Sequence, residues 1–316
     1  MLFFGFFVFL LNTKKVHSIF KNLLPKHLTH TPVLLDAILR ELPLFPGATV
    51  VDATLGLGGH AREMLKKIGK TGRLFGFDWD ARNREIAAKN LAEFPNVEII
   101  PAPFSRIDAE LFARGVEKVD AILFDFGISS AHLDDGDRGF SFRFSAPLDL
   151  RMNSEIQKTA ADLCREASES ELADFFFRYG EDRFSRKIAA EIKKNPPETT
   201  TDLFAIAEKF CRNPKKSAAR LFQALRIAVN DELSEIEIAL PKAAKMLRGG
   251  GRVAAISFHR LEDRLVKNIF RDFFFTQKGE TRKWQRISKK PICPSADEIA
   301  QNPRARSAKL RILEKL

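Results

Sequence analysis

Cysteine is scarce. Cys164, Cys211 and Cys293 are the only three in 316 residues; they lie far apart, with no CxxC pair and no histidine cluster beside them. That pattern argues against a disulfide framework and a bound zinc and fits a reducing compartment; no metal is expected. A membrane-spanning run is missing as well. The apolar, Phe-rich stretch 1–11 is 11 residues long, whereas a spanning helix needs about 20. A secretory signal carries positive charge before its apolar run, but Lys14, Lys15, Lys21 and Lys26 follow this one. No membrane partner is expected.

Acidic residues are absent from positions 1–35, which hold four lysines, and residues 271–316 hold twelve Lys/Arg against five Asp/Glu. The ends thus contribute +4 and +7 of the net +11, and residues 36–270 are neutral as a block. A basic tail on a neutral body points to a polyanion, most simply nucleic acid; the plainer reading is a solvated basic surface. Residues 1–29 read as an extension outside the fold, either an organellar presequence (though without arginine) or the product of an upstream start codon. The expected location is the cytoplasm, or the mitochondrial matrix if the extension is a presequence.

From there the chain alternates strands and helices. Pro32 suits the first turn of a helix whose apolar face is Leu34, Leu35, Ile38 and Leu42. Strands are predicted at 49–51, 74–77, 97–100, 121–124 and 252–257, with a further one at 309–313 and a helix at 81–91 presenting Ile86, Ala87 and Leu91. Strands spaced by helices make βαβ units, so the expected fold is α/β: a doubly wound, mostly parallel, Rossmann-like sheet. The alternation stops after Asp125. Residues 126–147 form a long Gly-, Ser- and Asp-rich loop of the kind that is functional or disordered, and 159–211 read as helices at 160–166, 170–179, 184–194 and 201–211. The expected domains are therefore 30–136 with 217–316, and an inserted helical subdomain at 137–216. A long helix from Ser217 is expected to pass into a second begun by Pro241 and to stop at Gly249-Gly250-Gly251.

Residues 50–61, VVDATLGLGGHA, run from a buried strand through a glycine loop into a helix N-terminus. The loop satisfies the GxGxxA dinucleotide pattern, and Asp78 lies where a ribose-binding acid belongs, so a nicotinamide dehydrogenase is one reading. Asp52 weighs against it. A carboxylate beside a pyrophosphate is repelled by roughly 1–4 kcal/mol, whereas it suits the cationic ammonium of S-adenosylmethionine, which has a ribose and no phosphate. Asp52, Asp78 and Asp125 stand at the carboxyl ends of strands one, two and four, which share one crevice in an open parallel sheet. Each alone reads as a helix cap; together they read as a site.

The ordered motifs HTPVLL at 30–35, the 56–60 loop, DFGISS at 125–130 with Leu133-Asp134, RGFS at 138–141, PLDLRM at 147–152, YGE at 179–181, FQALR at 222–226, ISFH at 256–259, LEDR at 261–264 and NPRARS at 302–307 resemble the bacterial small-subunit (16S) ribosomal RNA cytosine-N(4)-methyltransferase family, from about residue 28 to the end. The resemblance implies a class I methyltransferase sheet with a helical insertion and S-adenosyl-L-methionine as methyl donor. It implies a cytidine in the decoding region of small-subunit ribosomal RNA, or of the 30S subunit, as acceptor. It carries cofactor contacts onto Gly58, Gly59, His60, Asp78, Phe104 and Asp125, and onto His132, where the family normally has Gln. The family often has Gly where Ala53 stands and a basic or polar residue where Leu57 stands.

Methyl transfer to an exocyclic amine needs near-attack geometry and an acceptor for an N–H, since the cytosine lone pair is delocalised into the ring. Asp125, or the carbonyls after it, is the expected acceptor; the Asp/Asn-Pro-Pro-aromatic motif common in amino-methylating enzymes is replaced here by Asp125-Phe126-Gly127-Ile128. For an unstacked base, Phe140, Phe142 and Phe144 offer a stacking surface and Arg138, Arg143 and Arg151 phosphate contacts; equally, the phenylalanines are the loop's own core. His259 either faces the crevice or caps the next helix. Trp284, amid Arg282, Lys283, Arg286, Lys289 and Lys290, reads as part of an RNA-contacting tail. A non-catalytic RNA-binding protein is the other alternative; it accounts for the charge but not for the three acids.

Overall fold

The computed structural model describes residues 32–129, 132, 135–143, 145–210, 213–274 and 283–316. His30, Thr31, Ser130, Leu133, Asp134, Phe144, Cys211, Arg282 and the 1–29 extension lie outside that set. Residues 33–316 form one unit, built on a seven-stranded sheet in the order β3-β2-β1-β4-β5-β7-β6. The strands are β1 (Thr49–Asp52), β2 (Arg73–Phe77), β3 (Val97–Ile100), β4 (Val119–Asp125), β5 (Leu247–Ser257), β6 (Trp284–Arg286) and β7 (Lys309–Lys315). The first five run parallel; β7 is antiparallel to both β5 and β6.

Successive side chains on a strand point to opposite faces, so a sheet covered on both sides reads as an unbroken apolar run. Val51, Phe75, Ile122, Phe124 and Ala255 face one layer, made by α4 (Ile107–Phe112), α10 (Glu232–Met246) and α11 (Arg260–Phe274). Their neighbours Val50, Leu74, Ala121, Leu123 and Ala254 face the other, made by α1 (Leu35–Glu41), α2 (Gly59–Ile68) and α3 (Ala81–Asn90). On α3 it is Ala87 and Leu91 that are buried, with Asn83, while Ile86 is only half-buried.

Five helices make a third core: α5 (Ala160–Glu166), α6 (Glu169–Arg178), α7 (Ser185–Lys194), α8 (Thr200–Phe210) and α9 (Pro214–Asn230). Phe140, Leu148 and Leu150 from the long loop pack into it, as do Leu221 and Leu225 of α9. Thr159 and Ser168 start α5 and α6 with reciprocal capping boxes, each side chain and N3 acid satisfying otherwise orphan N–H groups.

Three expectations are corrected. The break between the two long helices is at Asp231, held at φ 49°, and Pro241 lies inside α10; burial of Ala239, Leu240, Ala243 and Ala244 around it outweighs the hydrogen bond that proline forfeits. The helix ends at Met246, and Gly249–251 belong to the opening of β5. Trp284 is in a strand: its ring meets Phe273 edge-on at 5.0 Å, and Lys315 Nζ lies 5.8 Å above it. The tryptophan covers the core rather than standing out from a tail.

Candidate active site

The loop between β1 and α2 sits at the carboxyl end of the sheet. Gly58 takes φ 84° as the residue before α2, and a Cβ there would lie 3.0 Å from Leu91, so neither the backbone nor the space tolerates a side chain. Gly56 N donates to Asp78 Oδ2 at 2.9 Å, tying the loop to the end of β2. Asp78 also accepts from Asp80 N at 2.7 Å and from Asn83 Nδ2 at 3.2 Å. Burial still outweighs those bonds, with Asp80 adding repulsion, and pushes the Asp78 carboxyl up to about 7.

Asp52 is 1% exposed. Its Oδ1 accepts from Thr54 N at 3.3 Å, and its Oδ2 is buried with no hydrogen-bond partner. Burial pushes this carboxyl to about 7 despite the N–H groups of Thr54 and Ala61. Asp125 ends the neighbouring strand; its backbone N donates to Thr54 Oγ1 at 2.6 Å, and its Oδ1 is likewise buried and unpartnered. Burial, then the charges of Asp52 and Glu262, raise its pKa well above the usual carboxylate range. His60 donates from Nε2 to Val33 O at 3.0 Å, and its Nδ1 is 3.6 Å from Asp125 Oδ2.

Asp52 is buried and Asp125 half-buried, each keeps a buried oxygen without a partner, and the charge of Asp52 raises Asp125; such a pair forms a site that a cation stabilises. The ammonium and sulfonium of S-adenosylmethionine carry such charge, its ribose has hydroxyls of the kind a carboxylate like Asp78 accepts from, and the positive-φ Gly56 and Gly58 leave the backbone open to close approach. Phe104 completes the set: its ring lies 5.7 Å from Phe124 and 5.9 Å from Phe126, a partly buried aromatic wall suited to a base. The predicted residues therefore fit the cofactor, with one correction. His132 Nδ1 accepts from Ser129 N at 3.1 Å, so its Nε2 carries the hydrogen and donates to Asp80 Oδ2 at 2.8 Å. Both ring nitrogens are used inside the protein, and burial lowers its pKa and keeps it neutral.

His132 belongs to a network that the sequence did not announce. Asp80 also pairs with Arg138 Nη1; burial acts against its charge, but His132 and Arg138 hold its pKa down at about 2. Arg138 Nη2 donates to the carbonyls of Arg151 and Met152 at 2.8 and 2.9 Å. Asn230, at the end of α9, donates to Leu150 O and accepts from Met152 N, holding Leu150 at φ 62°. Arg151 pairs with Asp149 at 2.6 Å and donates to Ile156 O. Arg138 and Arg151 are thus internal struts, not phosphate contacts, whereas Arg143 is exposed.

The phenylalanine surface is corrected too. Phe140 is buried against His132 at 4.9 Å, and Phe142 packs 5.5 Å from both Phe204 and Phe222; they are core of the helical layer. Their alternation with arginine carries no signal that separates a stacking platform from a loop's own core.

On the far side of Asp125, Phe126 N donates to Ile256 O at 3.0 Å, so the ends of β4 and β5 run together. His259 precedes α11. Glu262 Oε2 accepts from Phe258 N at 2.7 Å and His259 N at 3.1 Å, which is the capping role. Donor atoms of Glu232, His259 and Glu262 lie within 4.8 Å of one another, but Arg226 already holds both oxygens of Glu232 at 2.7 and 2.9 Å and is the cation of that cluster.

Fold and site together define a Rossmann-like methyltransferase whose cofactor is S-adenosylmethionine. Residues 27–316 match the MraW methylase family, and the chain belongs to it. It is 43% identical over 304 residues to the "Ribosomal RNA small subunit methyltransferase H" of Caldicellulosiruptor bescii, covering 91% of this chain and 99% of that protein. The Fusobacterium nucleatum protein of the same name is 41% identical, covering 91% and 97%. Among solved structures, an rRNA methylase from Streptococcus thermophilus is similar at a TM-score of 0.41 and 13% identity over 89% of this chain and 93% of that one, a likeness too distant to carry an argument. No helix among the described residues is long and apolar enough to cross a membrane.

Proposed function

We propose that this chain transfers a methyl group from S-adenosylmethionine to the exocyclic N(4) amine of a cytidine in the decoding region of small-subunit ribosomal RNA, acting in the cytoplasm on that RNA or the 30S subunit. The observation that carries the ribosomal substrate is identity above 40% along nine-tenths of the chain to proteins named for it. The choice of an amine rests on Asp125, whose buried Oδ1 is an acceptor with nothing to accept.

Held by the glycine loop, Asp52 and Asp78, the cofactor would supply an electrophilic methyl group. The chain then has two tasks. It holds the amine in line with that carbon, which converts an encounter into a near-attack geometry. It also takes up the proton the nitrogen sheds as it gains the methyl. A carboxylate with a raised pKa is a stronger base than a solvated one, and Asp125 is such a group. Gly58, Gly59, His60, Asp78, Phe104 and Asp52 are the cofactor's side of the site in this reading; His132 acts through Asp80. Residues 30–136 and 217–316 are the catalytic domain, and 137–216 the inserted layer that closes over the acceptor, its core continuing into α9.

Small-subunit RNA that lacks the mark, naked or assembled, is incubated with enzyme and cofactor, digested to nucleosides and analysed by mass spectrometry. The expected product is N(4)-methylcytidine. A methyl on the cytosine ring carbon or on a ribose overturns the reading.

A further inference from the structure

At and just past the end of β5, beside Asp125, stand two buried polar atoms without a well-aligned hydrogen bond. Ser257 Oγ and His259 Nε2 are both buried, and neither has a hydrogen-bond partner among the described residues. Burying such groups unpaired is costly, and unpaired buried groups collect where a ligand completes them. Their position follows from the sheet: Asp125 pairs with Ile256, and a Cβ on Gly127 would lie 3.5 Å from the Phe258 ring. The segment 257–259 therefore runs alongside 126–128, on the acceptor side of the site.

A backbone contact sets which ring nitrogen of His259 carries hydrogen. Nδ1 accepts from Glu262 N at 3.3 Å, so the N–H is on Nε2. That nitrogen stands 3.0 Å from Glu262 Oε1 without a well-aligned hydrogen bond. Glu262 is itself held by Phe258 N and His259 N, and its charge is felt at Asp125. The site thus offers an acceptor on one strand end, Asp125 Oδ1, and an N–H donor on the next, His259 Nε2.

An amino-pyrimidine presents the complement: an exocyclic N–H beside a ring nitrogen that accepts. Uracil presents the reverse, an O4 acceptor and an N3–H donor, and meets like against like at both positions. A site built around such pairs rejects the wrong base because its own buried groups are left unpaired. We propose, resting on the cytosine reading above, that His259 is a specificity-determining residue whose Nε2–H donates to N3 of the target base while Asp125 accepts from N4. Glu262 is the positioning residue that fixes the donor tautomer.

The test pairs a protein change with a single-atom change in the RNA. Wild type, His259→Ala and His259→Gln are assayed on RNA carrying cytidine or 3-deazacytidine at the target; the latter keeps the amine and replaces N3 by C–H. About a tenfold loss in kcat/KM, mainly in KM, is expected for wild type on the deaza RNA and for His259→Ala on cytidine, one hydrogen bond's worth in each case. Combining the two changes should cost no more than either alone, the signature of a shared contact. Gln, which retains an N–H donor, should restore part of the loss, and cofactor affinity should be unchanged throughout. Losses that multiply, or a deaza RNA methylated as well as cytidine by wild type, overturn the proposal even if His259→Ala folds poorly. Wild type that leaves cytidine RNA unmethylated instead removes the cytosine reading on which the proposal stands.

Discussion

Asp52 and Asp125 end adjacent parallel strands, and each keeps one buried carboxylate oxygen without a hydrogen-bond partner. Burial favours the protonated form of both while no cation is present, and the charge of Asp52 adds to it at Asp125. A cationic ligand reverses that preference, so cofactor binding is linked to proton release. Affinity for S-adenosylmethionine should rise with pH through about 7, the value to which Asp52 is pushed. Calorimetric titrations near that pH, in buffers of different ionisation enthalpy, should show protons leaving the protein.

The same groups set the stability of the cofactor-free protein. Asp52 and Asp78 have folded values near 7 against 3.8 unfolded, so between those values the folded state holds more protons and stability falls as pH rises. Asp80 is opposite: its folded value is about 2, and its contribution is present above about 4 and lost as pH falls toward 2. Thermal denaturation without cofactor should therefore show a maximum on the acid side of neutrality, and saturating cofactor should flatten the fall above it.

Gly58→Ala meets two obstacles, a positive φ and the Leu91 side chain at 3.0 Å. A non-glycine residue in the left-handed region costs about 1–2 kcal/mol before any clash. The variant should lose at least that much in denaturant unfolding and bind cofactor about tenfold more weakly, since the loop and Asp78 move together through Gly56.

Arg138→Ala should act on the helical layer. It removes a half-buried partner of Asp80 and the donor for two carbonyls, and breaking such a pair costs about 3–5 kcal/mol. Limited proteolysis should open the chain near 138–152, with methyl transfer reduced more than cofactor binding.

The sheet was legible because its strands are buried on both faces and so read as apolar runs ending in acids; residue type and position alone put Asp52, Asp78 and Asp125 at those strand ends. What was not legible lies in partner choice over long separations. Arg138 and Arg151 look like phosphate ligands until Asp80 and Asp149 are seen beside them. Phe142 looks like a stacking platform until Phe204 and Phe222 cover it, and Trp284 looks like a tail residue until β7 pairs with its strand. Asn230 makes its contacts to residues some eighty positions away, and no local pattern marks it. Pro241 shows the same limit from the other side, because the packing around it, not its own preference, decides that the helix continues.

Asp125→Asn preserves shape and removes the basic carboxylate. Turnover at saturating cofactor should fall by about a hundredfold or more, the usual worth of a positioned acid–base group, over and above any loss of cofactor affinity, as read by single-turnover assays beside calorimetry.

Asp52→Asn keeps the shape of the buried side chain and removes the charge that favours a cationic cofactor. Titrating S-adenosylmethionine into wild type and this variant at pH 8, where the carboxylate is ionised, should show binding weakened by about ten- to a hundredfold, or about 1.4–2.7 kcal/mol, while the cofactor-free variant melts at a higher temperature than wild type. Equal affinity in the two proteins, or tight binding of NAD by wild type, would mean that the strand-end acids do not select the cofactor.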